Sequence, residues 1–70
     1  MKLEDCTIGK IVTVASIPDN LSGWIINDYR AIVGQPMTII GHDTDPNDRP
    51  IILKSHDDKV FYLNHENLIE

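Results

Sequence analysis

The stretch from Gly34 to Leu68 most constrains what this chain can fold into. Three short runs, Met37-Thr38-Ile39-Ile40, Ile51-Ile52-Leu53 and Val60-Phe61-Tyr62-Leu63, alternate with turn-forming clusters, and Leu68-Ile69 closes the series. Side chains of this β-branched and aromatic kind fit a pleated, half-buried surface and favour strands over long helices. The Gly, Pro, Asn and Asp residues between the runs supply the reversals. The rhythm predicts a small, strongly bent antiparallel sheet.

The remaining elements follow from that frame. Lys10 to Ile17 reads as the first strand, with Val12 and Val14 facing the core and Pro18 ending it. Residues 1–7 form a lead-in. Residues 19–33 make a long excursion with a helical turn near 28–33, begun at Tyr29 and capped by Asn27 or Asp28. Apolar residues at 25, 29, 32 and 33 share one face of that turn; the alternative pairs Trp24-Ile25-Ile26 as a short strand. Gly34 suits a left-handed helix-ending position, and Pro36 can start a strand. Strand two runs from Met37 to His42, strand three from Ile51 to Ser55 and strand four from Lys59 to Leu63. His56-Asp57-Asp58 connects the last two tightly. Asn64 to Asn67 reads as a single turn that returns Leu68 and Ile69 to the core.

With 70 residues the chain reads as one domain, 1–70, near the lower limit for folding alone. A domain this size buries only about 60% of the surface its unfolded chain exposes, so a partner or self-association adds usefully to its stability. The single Cys6 excludes an internal disulfide and suits a reducing compartment. No apolar run approaches the roughly 20 residues of a membrane span, and the acidic start Met1-Lys2-Leu3-Glu4-Asp5 is unlike a secretory signal. A soluble, cytoplasmic protein is expected.

Eleven Asp and Glu oppose six Lys and Arg. The cations lie singly at 2, 10, 30, 49, 54 and 59, without the clustering that phosphate-backbone binding uses. Duplex DNA binding is disfavoured. An acidic surface serves solubility, and it also steers toward a basic protein partner.

The pattern Val33-Gly34, Met37-Thr38-Ile39-Ile40-Gly41, Ile51-Ile52-Leu53, Val60-Phe61-Tyr62-Leu63 and Glu66-Asn67-Leu68 resembles the small SH3-like barrels, in the broad sense that includes KOW-like and Tudor-like modules. It covers residues 8–69. The resemblance implies a mainly β fold, a five-stranded SH3-like antiparallel barrel with a long first excursion and a short helical turn. It further implies a binding module that presents loops to a protein, peptide or nucleic acid. Fold alone does not fix function.

Sites of chemistry find little support. Asp43-Thr44-Asp45-Pro46-Asn47-Asp48 is similar to the start of a calcium loop, but Asp48 stands where glycine belongs and Lys54 where the closing glutamate belongs. His42, His56 and His65 match no zinc-ligand spacing. Neither Cys6 nor Ser16, Ser22 or Ser55 lies in a nucleophile motif. No cofactor, metal or catalytic residue is expected.

The aromatics carry the functional expectation. Adjacent strand residues point to opposite faces, so Phe61 and Tyr62 cannot both be core, and Tyr62 is the natural outward one. Trp24, Tyr29, Arg30 and Tyr62 together have the composition of an interface hot spot. For Trp24 itself the favoured reading is the plug of the open barrel end, because so small a core needs its largest side chain. The leading expectation is a non-enzymatic protein-binding module, an adaptor or inhibitor in the format of phage or mobile-element accessory proteins. It would act through loop 19–33 and the acidic loop 43–49, with Asp43, Asp45 and Asp48 facing a basic partner. Alternatives are single-stranded nucleic acid, with Trp24 and Tyr62 stacking and Arg30, Lys54 and Lys59 on phosphates, and a homo-oligomer holding a small anionic ligand.

Overall fold

In a computed structural model of the chain, the residues described are 1–19, 21, 23–43 and 50–70. Five antiparallel strands form one curled sheet, a half-barrel. They are β1 (Ile11–Val14), β2 (Pro36–His42), β3 (Ile51–Lys54), β4 (Val60–Leu63) and β5 (Leu68–Ile69), and their order across the sheet is β4-β3-β2-β1-β5. A short helix α1 (Ile26–Ala31) lies in the long connection from β1 to β2. Two 3₁₀ turns, Leu3–Asp5 and His65–Asn67, precede β1 and β5. The mainly β expectation, with its long first excursion and helical turn, holds.

Alternation along the strands decides which side is core. Val12, Val14, Met37, Ile39, Ile51, Leu53, Phe61, Leu63 and Leu68 all point inward and are buried. Register agrees with this pattern, because Leu53 pairs with both Ile39 and Phe61, and Ile51 with Leu63. A bulge between Ile39 and Gly41 shifts the β2–β3 register and leaves Ile40 outward.

β1 is shorter than the apolar run that contains it. Past Val14 the backbone leaves β2, and the amides of Ala15 and Ser16 both donate to the Asn67 carbonyl, at 2.7 and 3.3 Å. Asn67 is a buried polar joint. Its side-chain oxygen accepts from the Asn64 amide and its side-chain nitrogen donates to Ser16 Oγ, each at 3.1 Å. Leu68 is buried beyond it, whereas Ile69 is half exposed, because neighbouring strand residues take opposite faces. The expectation that both return to the core is corrected for Ile69.

Helix α1 starts at Ile26, earlier than expected, and neither Asn27 nor Asp28 caps it. Its phase is set by Ile25, Tyr29 and Ile32, which pack on the core. It ends at Ala31 with Ile32 as its cap, and two residues on the chain turns away at Gly34, whose φ of +85° is the left-handed conformation that favours glycine. The Gly34 amide donates to the Val14 carbonyl at 2.7 Å, fastening the helix to the end of β1.

The first residues are more than a lead-in. Cys6 is fully buried in the core, and two imidazoles hold the segment down. His65 Nδ1 donates to the Met1 carbonyl at 2.8 Å, and His42 Nε2 donates to the Cys6 carbonyl. Desolvation by burial pushes the Cys6 thiol above its ordinary pKa, which disfavours the reactive thiolate.

Candidate protein-binding surface

The expected hot-spot residues part company. Tyr29 is 8% exposed and belongs to the core. Its ring meets Phe61 edge to face, with centroids 5.1 Å apart and an interplanar angle of 88°. Its hydroxyl accepts the Tyr62 amide at 3.1 Å. That amide faces away from β3, so Tyr29 satisfies part of the free edge of β4 and ties the excursion to it. Tyr29 therefore positions the surface and does not present itself there.

Trp24 takes the opposite state. It is 85% exposed, one residue before the helix cap Ile25, and the core closes without it. The plug reading is thereby corrected: Tyr29, Phe61, Met37 and Ile32 belong to the core cluster and Trp24 does not. Arg30 is exposed on the helix, and no carboxylate pairs with it among the described residues. Tyr62 is half exposed and points outward, as expected. A groove of about 420 Å³ runs between α1 and β4, lined by Ile25, Asp28, Tyr29, Lys59, Val60 and Phe61. The groove has an apolar floor, with Asp28 and Lys59 as the charged residues of its lining.

Asp43 is exposed at the end of β2, and its amide donates to the Pro50 carbonyl at 2.7 Å, closing the base of the loop. Asp45 and Asp48, and the calcium-like run around them, lie outside the described residues. Among the described residues, no three His, Cys, Asp or Glu side chains come together as a metal site. Two of the cations assigned to phosphates stand beside carboxylates: Lys54 Nζ is 3.0 Å from Asp58 and Lys59 Nζ is 3.9 Å from Asp57. A hydrogen bond from Ser55 holds the Asp57 carboxyl below its usual range. No helix among the described residues is long and apolar enough to cross a membrane.

Sequence reasoning missed the outward side of the sheet. In an antiparallel sheet with one buried face, the other face is normally polar. Here Ile11, Ile40, Val60, Tyr62 and Ile69 are exposed on it, and Ile52 is half-buried among them. The signal was present in the sequence as runs that are apolar at consecutive positions instead of alternating. The chain matches no family model, no curated protein and no solved structure.

Proposed function

We propose that this protein is a non-enzymatic binding module for a protein partner, with Trp24 as its anchor. The observation that supports this most is the exposure of the chain's one tryptophan in a molecule whose core is small. Burying that ring would stabilise the fold, whereas holding it out favours association. Arg30, exposed on α1, and the groove between α1 and β4 add a cation and an apolar recess to the same region of chain, a composition of the kind that supplies most of the energy in protein interfaces. The net charge of −5 would speed encounter with a basic partner. The pairing of Lys54 and Lys59 with carboxylates favours a protein over single-stranded nucleic acid.

The test is capture of partners by the immobilised protein from its native lysate, with and without nuclease, for wild type and Trp24→Ala. One stoichiometric protein that survives nuclease and is lost with Trp24→Ala is the expected result. Once isolated, that partner should bind the variant more weakly by about 2 kcal/mol or more. Trp24→Ala should leave unfolding stability within about 0.5 kcal/mol of wild type, as expected for an exposed side chain. Retained material that disappears with nuclease would replace this reading with the nucleic-acid one.

A further inference from the structure

We propose that the groove between α1 and the β3–β4 hairpin receives a basic side chain, an arginine or a lysine, of the protein partner. This rests on the protein-binding reading above and names what that partner inserts.

The recess of about 420 Å³ is one end of a longer groove. Past Asp28 and Lys59 it opens into a second recess of about 300 Å³, which reaches Ile32, Met37 and the turn from Ser55 to Lys59. Asp28, Lys59 and Phe61 line both. Buried apolar side chains floor the whole length, Tyr29 and Phe61 in the first part and Ile32, Met37 and Phe61 in the second. The rim is charged: Asp28, Asp57 and Lys59 are exposed on it.

Those charges do not cancel. Lys59 Nζ lies 3.9 Å from Asp57, and Asp57 also accepts from Ser55 Oγ, so both are engaged within the hairpin. Asp28 sits where the two recesses meet, and no cation pairs with it among the described residues. With histidine counted as neutral, the lining of the second recess sets two carboxylates against one lysine. An apolar floor beside an unpaired carboxylate selects an occupant with two parts. A methylene stem packs on the floor, and the ammonium or guanidinium at its end pairs with Asp28. An anionic side chain would meet Asp28 and Asp57. A purely apolar one would strip water from Asp28 and return nothing.

Backbone-amide NMR of the isotope-labelled intact protein tests this without any partner, with N-acetyl-arginine amide and its lysine, norleucine and glutamate counterparts as probes. The two basic probes should produce saturable shifts at Asp28, Ile32, Lys59 and Phe61, with a Kd of about 1–10 mM for so small a contact. Norleucine should bind about threefold or more weaker, and glutamate should not bind. Added salt should weaken the basic probes. Asp28→Asn, still folded by thermal melt, should weaken them about threefold or more, whereas Lys59→Gln should tighten them by removing a competing cation. The proposal is overturned by basic probes that give no saturable shift at about 50 mM, by norleucine binding as tightly as they do, by Asp28→Asn binding as wild type does, or by a Lys59→Gln that weakens binding. Trp24-dependent capture of a protein alongside such a failure would strike the groove alone. Probe binding with no captured protein would instead strike the partner reading and leave a cation pocket.

Discussion

Tyr29 and Trp24 stand five positions apart on one excursion and end in opposite environments. Composition could not separate them, since both are large amphipathic rings in a chain short of core volume. The phase of α1 decides the matter: starting at Ile26, it turns Tyr29 with Ile25 and Ile32 onto the sheet and leaves Trp24 ahead of its first turn. The hydroxyl then finds the edge amide of Tyr62, a partner no local pattern announces. Tyr29→Phe keeps the contact with Phe61 and removes only that acceptor. It should cost about 1 kcal/mol in urea unfolding, the net worth of such a bond, with faster hydrogen exchange at the Tyr62 amide. An unchanged exchange rate there would show that the bond contributes nothing. Asn67 was equally hidden. Its sequence neighbours suggest only a turn, and its role depends on Ser16, which lies 51 positions away.

At the scale of elements, the strands were legible because period-two patterning and turn residues report the same thing from opposite sides. Gly34 and Pro36 marked the entry to β2 for plain conformational reasons, positive φ in one and fixed φ in the other. Leu53 and Leu63 are completely buried on β3 and β4. Leu53→Ala or Leu63→Ala should each destabilise by about 2–5 kcal/mol in denaturant unfolding. Values near zero for both would refute the registers that pair Leu53 with Phe61 and Ile51 with Leu63. The 3₁₀ turn Leu3–Asp5 was not legible. Seven residues give no period to read, and what fixes them is imidazole donors from β2 and from the turn before β5.

Across the whole molecule, a tie between distant parts of the chain makes stability sensitive to both acid and base. The hydrogen bond from Lys10 holds the Glu70 carboxyl below its ordinary pKa, and the same bond raises Lys10 above its own. The contribution of Glu70 is complete above the usual carboxylate range and fades as pH falls through its lowered value. That of Lys10 is complete below the usual lysine range and fades as pH rises through its raised value. Both groups are exposed, so the effect is small. Carboxyl-carbon titration should show the Glu70 pKa rising in Lys10→Gln, and an unmoved value would dissolve the tie. Among the described residues no ladder joins β4 to β5, so the curled sheet ends in two strand edges. Those edges are poor templates for another backbone. Tyr29 occupies an outward amide of β4, and β5 is two residues long. Strand addition, the recognition mode that reads main chain and tolerates many sequences, is thus disfavoured at both ends. The binding role proposed above would then rest on side chains, and single surface substitutions would be expected to rewrite its selectivity.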